Sequence, residues 1–115
     1  MRDLTITVDE HEYPARVVVR GDLDLKAGDE LEAVLLPLLR PGARVEVVCD
    51  RIDFADSSGI AALVSAAQAA EEVGAHLVLS DPSPRLLSVL ALTGTHSLFS
   101  IDGDVRDVPL APFGR

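Results

Sequence analysis

The stretch from Ser57 to about Val73 constrains the fold of this chain more than any other. It is rich in alanine, free of proline, and carries Ile60, Leu63, Val64 and Ala67 as an apolar stripe at helical spacing. Gly74 follows it as a C-terminal stop. Short apolar runs flank it: Val45-Glu46-Val47-Val48-Cys49 before, and Ala75-His76-Leu77-Val78-Leu79 after. Strand, long helix, strand is the crossover unit of a parallel sheet, so the class is α/β.

The remaining segments extend that unit in both directions. Leu4-Thr5-Ile6-Thr7-Val8 alternates as a strand, and Ala15 to Arg20 reads as a second strand ended by Gly21. The short polar link between them predicts an antiparallel hairpin. Leu31, Val34, Leu35 and Leu38 form a helical stripe, with Asp29, Glu30 and Glu32 expected in its first turns. Pro37 should kink its end, and Pro41-Gly42 stops it. Asp50 to Asp56 reads as a polar connection with apolar anchors. Ser83 as cap and Pro84 as first residue open a third helix, which Leu86, Leu87, Val89 and Leu90 make apolar on one face and Gly94 ends. Leu98 to Ile101 is a short last strand. The expected architecture is a mixed sheet of four to five strands packed with helices, in the order β-β-α-β-α-β-α-β. It occupies residues 1–101, and 102–115 form an irregular, acidic tail with Pro109 and Pro112.

Composition narrows the function. The chain has 115 residues, one domain's worth, and its 48% hydrophobic content supplies a core. No apolar run approaches the roughly 20 residues of a membrane-spanning helix, and the N-terminus has no signal-peptide core. A soluble cytoplasmic domain is expected. The formal charge of −9 disfavours nucleic acid and anionic membranes as partners. With so few aromatic residues, base stacking has no platform. The single cysteine, Cys49, excludes an internal disulfide and reads as an inert core thiol. His11, His76 and His96 are isolated, so no metal-ligand spacing appears. No phosphate-binding Gly-rich loop is present, and no cofactor is expected. Asp102-Gly103-Asp104 lacks the spacing of a calcium loop.

Asp56-Ser57-Ser58-Gly59 is the informative segment. It opens the long helix, where Asp or Ser caps exposed N–H groups. It also sets two hydroxyls at the positive end of the helix dipole, where an added phosphate meets oriented N–H groups yet lies beside Asp56. That is the chemistry of a switch. Ala55-x-Ser57-x-Gly59 also fits a relaxed nucleophile elbow, with Asp81 and His96 following in hydrolase order. The seven residues between Cys49 and Ser57 argue against that tight turn, and no enzymatic activity is expected.

Four motifs in order carry a family resemblance. They are Gly21-Asp22-Leu23-Asp24; Ile52-Asp53-Phe54-Ala55-Asp56-Ser57-Ser58-Gly59-Ile60; Ser80 to Pro84 with Leu90-Ala91-Leu92-Thr93-Gly94; and Leu98-Phe99. Together they resemble STAS domains of the anti-sigma factor antagonist family, over roughly residues 4 to 101. The resemblance implies partner switching. An unmodified antagonist binds an anti-sigma factor with serine kinase activity and frees the sigma factor. Phosphorylation at the position of Ser57 ends the complex, and a phosphatase resets it. Asp24 and Asp56 match the acids that flank that serine, and Asp24 reaches it if the second and third strands are neighbours. Ser58 and Gly59 complete the turn. The chain departs from the pattern at Asp22, usually Glu, at Thr95-His96, and in its proline-containing tail. A scaffold or accessory STAS subunit, stressosome-like or in a lipid-transport complex, is the alternative. Helix geometry adds one expectation. If Ile60, Leu63, Val64 and Ala67 are buried, Ala62, Ala66 and Ala69 form an exposed, uncharged face where a partner docks.

Overall fold

A computed structural model describes residues 3–9 and 14–102. The strands are β1 (Thr5–Asp9), β2 (Ala15–Leu23), β3 (Arg44–Ala55), β4 (His76–Ser80) and β5 (Ser100–Asp102). The helices are α1 (Leu25–Leu35), α2 (Ser57–Val73) and α3 (Pro84–Thr93), with single 3-10 turns at Leu36–Leu38 and His96–Leu98. The chain order is the one expected. The sheet runs β1-β2-β3-β4-β5, with β1 antiparallel to β2 and every other pair parallel.

Alternation in the strands decides where the helices lie. Val17, Val19, Val45, Val47, Cys49, Leu77 and Leu79 point into one core and are almost fully buried. Right-handed crossovers that step across the sheet in one direction put α1 and α2 on the same face, and the two helices pack against each other there. Leu86 and Leu90 of α3 join that core, with α3 packed against β3. The alternate strand positions carry polar groups. Arg16 Nε donates to Glu46 Oε1 at 3.2 Å, and Ser80 Oγ donates to Glu46 Oε2 at 2.6 Å. The Ser80 hydrogen bond, helped by Arg16, lowers the Glu46 pKa below its ordinary value.

Three boundaries before α2 differ from expectation, each for a physical reason. The first is the far half of β3, expected as a connection. Its pairing with β2 shifts register between Val18 and Arg20 and again between Gly21 and Asp22. Two bulges turn the inside-outside period of 2 into one of three, so Cys49, Ile52 and Ala55 are buried with exposed pairs between them. The second is β2, which continues through Gly21, at φ +114, to Leu23. The third is α1, which starts at Leu25, earlier than its acidic residues indicated, and has none of them in its first turn. Gly28 inside it conceals the start, because glycine is a poor helix former.

Among the other ends, the last strand, expected from Leu98, starts at Ser100, because His96–Leu98 form a 3-10 turn before it. Pro37 sits in the 3-10 turn that tightens the end of α1. Gly74 and Gly94 end α2 and α3 in left-handed conformation. Ser83 Oγ accepts from Leu86 N at 3.1 Å and donates to the Ile52 carbonyl at 2.7 Å, tying α3 to β3. Residues 103–115, most of the expected tail, lie outside the described residues, whereas Asp102 is the last residue of β5.

Candidate functional site

Two neighbouring parallel strands end side by side. Leu23 of β2 pairs with Ala55 of β3, and the next residue in each chain direction is an aspartate. Both aspartates take extended backbone and cap a helix. Asp24 Oδ1 accepts from Ala27 N at 2.9 Å, and Asp56 Oδ1 accepts from Gly59 N at 2.9 Å. Each thereby satisfies one first-turn donor that the helix itself leaves unpaired. The turns are also joined, because Asp56 N donates to the Leu23 carbonyl at 3.2 Å. The adjacency that Asp24 requires is therefore present.

The first turn of α2 is pressed onto the end of β2. A Cβ on Gly59 would stand 2.2 Å from Leu23 O and 2.7 Å from its carbonyl carbon. Only glycine fits there. From the other side α1 closes in, where a Cβ on Gly28 would stand 2.9 Å from the Ala62 Cβ and 3.3 Å from the Gly59 Cα. Ser57, the first residue of α2, is exposed, and Ser58 is half-buried. The N–H groups of both have no acceptor within the helix.

The expected alanine face is corrected. Ala62 and Ala66 are buried, Ala66 completely, and Ala69 is half-buried against the core. The reason is α1, which lies along them. Small side chains let the helices approach closely, and Ser65 Oγ donates to Glu32 Oε2 across the seam. With sheet on one side and α1 on another, α2 buries Gly59, Ile60, Ala62, Leu63, Ala66 and Ala70, while Val64 and Ala67 remain half-buried. Its open positions are Ser57, Ala61, Gln68 and the residues Glu71 to Val73. The pattern missed this because alanine is both the best helix former and a contact residue; only Gly28, spaced to meet it, signals the second helix.

Other candidates resolve simply. Cys49 is buried, with Sγ 3.7 Å from the Ser80 carbonyl, and burial first, then Asp50 and Asp81, pushes its thiol up to about 12. It stays protonated and unreactive at neutral pH. Among the described residues no group of three His, Cys, Asp or Glu side chains is placed to hold a metal ion. The distance argument against a nucleophile elbow fails, since β3 reaches Ala55. Backbone geometry replaces it: an elbow strains its serine, yet the one described non-glycine residue with positive φ is Asp81, not Ser57.

Comparisons with known proteins agree with this geometry. A family model described as "Mlab, STAS domain" matches residues 6–100. The anti-sigma-B factor antagonist of Bacillus subtilis (strain 168) is 24% identical over 99 residues, 86% of this chain and 91% of its own. The solved anti-sigma factor antagonist SpoIIAA, in its unphosphorylated form, has a TM-score of 0.66 at 24% identity, over 88% of this chain and 90% of that one. The Bacillus cell fate determinant SpoIIAA in the phosphorylated form gives 0.62 at 24% identity, over 88% and 93%. No described helix is long and apolar enough to cross a membrane.

Proposed function

The chain belongs to the STAS family, and from that premise we propose that it is an anti-sigma factor antagonist switched by phosphorylation at Ser57. Unmodified, it binds an anti-sigma factor with serine kinase activity, which releases its sigma factor. Phosphorylation of Ser57 by that kinase dissolves the complex, and a phosphatase restores it. The protein itself catalyses nothing in this cycle.

The observation that carries the reading is the exposed Ser57 at the first position of α2, directly after the capping Asp56, with the Asp24 cap on the adjoining strand end. A phosphate adds about −1.5 to −2 charges at pH 7. The helix N-terminus accommodates that charge, so folding survives modification. The adjacent aspartates make the same spot strongly negative, so a surface docked over it is repelled. Asp24 and Asp56 shape the acceptor through their caps, Gly59 lets the turn lie on β2, and half-buried Ser58 supports it.

The test is incubation with the organism's anti-sigma serine kinases and ATP, followed by peptide mass spectrometry. Phosphate on Ser57, absent from Ser57→Ala, is the expected result. Ser57→Ala should bind the partner and not be released by ATP. The second reading compatible with the STAS family is a scaffold or accessory subunit, stressosome-like or in a lipid-transport complex, without sigma-factor control. Stable binding to such a complex, with no labelling by any anti-sigma kinase, would support it instead.

A further inference from the structure

The outer side of α2 carries a groove that starts at Ser57. Its first part is a shallow hollow of about 340 Å³ between α2 and the end of α3, walled by Ile60, Ala61, Val64, Thr93 and Thr95. A second hollow of about 530 Å³ continues toward the end of α2 and the starts of β4 and β5, past Ala67, Glu71, Leu77 and Leu98. Val64 and Gln68 line both, so the two form one channel along the helix. From Ser57 to Gly74 the rise is about 25 Å, the length of a helix of four to five turns.

Chemistry selects the occupant. The near part of the groove has no charged wall in a chain of net charge −9. Its floor is apolar there; the far hollow mixes Ala67, Leu77 and Leu98, which is 54% exposed, with polar Gln68, His76, Ser97 and Ser100. Glu71, at the far end, is the one acidic residue lining either hollow, with exposed Glu72 beside it. Both hollows are open along their length, unlike sites that enclose small molecules. Two copies of so acidic a chain repel one another, and an anionic membrane repels it too. An apolar-faced helix with basic residues toward Glu71 matches both floor and charge.

We propose that this groove seats such a helix of the anti-sigma factor, so that the interface runs from Ser57 along α2 to Glu71. The proposal rests on the partner reading above and extends it by about four helical turns beyond the serine. It also places the switch at the apolar end of the groove. A phosphate at Ser57 charges the mouth of the groove, and seating the helix then requires desolvating a dianion.

The test uses the full chain and the anti-sigma kinase that labels it. Glu71→Arg and Asp29→Arg both shift the net charge by +2, and both sites are exposed. They alter long-range attraction alike but differ in place, since Asp29 lies on α1 outside the groove. Arginine also suits the last turn of α2, so Glu71→Arg is expected to melt no lower than wild type. The expected result is at least about tenfold weaker binding for Glu71→Arg than for Asp29→Arg. Ala61→Arg, at the near end, should weaken binding similarly. Equal affinities for Glu71→Arg and Asp29→Arg, with wild type binding normally, overturn the groove and leave the partner reading intact. No binding by wild type overturns both.

Discussion

Two strand-to-helix turns stand side by side in this molecule, built on one plan and filled with different residues. Leu23-Asp24-Leu25-Lys26-Ala27-Gly28 leads into α1, and Ala55-Asp56-Ser57-Ser58-Gly59-Ile60 leads into α2. Each aspartate has extended backbone and caps the N–H three residues on at 2.9 Å. The caps are therefore interchangeable, and they distinguish neither turn. The differences lie one and three residues later. The first helical residue is Leu25, 61% exposed, in one turn and Ser57 in the other. The third is Ala27 in one and Gly59 in the other, and a Cβ on Gly59 would meet the Leu23 carbonyl. A cap makes a helix start; the residues after it decide whether that start accepts a modification and how firmly it is held.

Substitutions at these positions sharpen the contrast, beginning with the largest effect. Gly59→Ala drives a Cβ into the backbone of Leu23, which cannot rotate away. A loss of at least about 3 kcal/mol is expected, read as a drop in the thermal midpoint. Gly28→Ala meets the Ala62 methyl group instead. That methyl group is fixed to the α2 backbone and the Gly59 Cα lies 3.3 Å away, so one helix must shift. The roughly 1 kcal/mol that alanine gains over glycine within a helix offsets only part of this, and a net loss of about 1–2 kcal/mol is expected. Equal losses at the two glycines would break the comparison.

The cysteine below the turns limits the pH at which such differences should be read. Burial, then Asp50 and Asp81, raises the Cys49 thiol from its ordinary value of 9.0 to about 12 in the folded protein. Between those values the unfolded chain has released a proton that the folded chain retains. Stability is therefore complete below about pH 9 and falls as pH rises toward 12, with a limiting slope of about 1.4 kcal/mol per pH unit. Urea titrations at pH 8 and pH 10.5 should show this fall in wild type and not in Cys49→Ala.

The caps give the smallest effects. Asp24→Ala and Asp56→Ala should each cost about 1 kcal/mol, whereas the asparagine variants, which cap equally well, should cost about half that or less. Denaturant midpoints check this. The asparagine variants then separate structure from switching. If Asp24→Asn and Asp56→Asn leave both stability and kinase labelling unchanged, the aspartates serve only as caps.

How much of this could be read from sequence depended on whether a residue obeyed one demand or two. Pro84 and Gly94 answer to helix ends, and their sequence signal is unambiguous. The far half of β3 answers to a pleat and to two bulges, so Ile52 and Ala55 lost the alternation that marks a strand. Gly28 answers to α2 more than to its own helix, and so α1 seemed to begin later than Leu25. Ala62 and Ala66 are the sharpest case. One helix wheel could assign them to solvent, because it contains no second helix, and of the expected stripe only Ile60 and Leu63 are among the six residues that α2 buries. The turn at Asp56 was legible because its motif is local: cap, hydroxyls and glycine in four consecutive residues.

The central claim is that Ser57 differs from every other helix start in the chain by being a phosphate acceptor. It is tested most directly by mapping phosphate after reaction with the anti-sigma kinase, using wild type and the double variant Leu25→Ser with Ser57→Ala. That variant moves the serine to the matching position of α1, behind an identical cap. Phosphate on Ser57 alone in wild type, and none on the double variant, is the result this account predicts. Phosphate on Ser58, or on the serine at position 25, would contradict it.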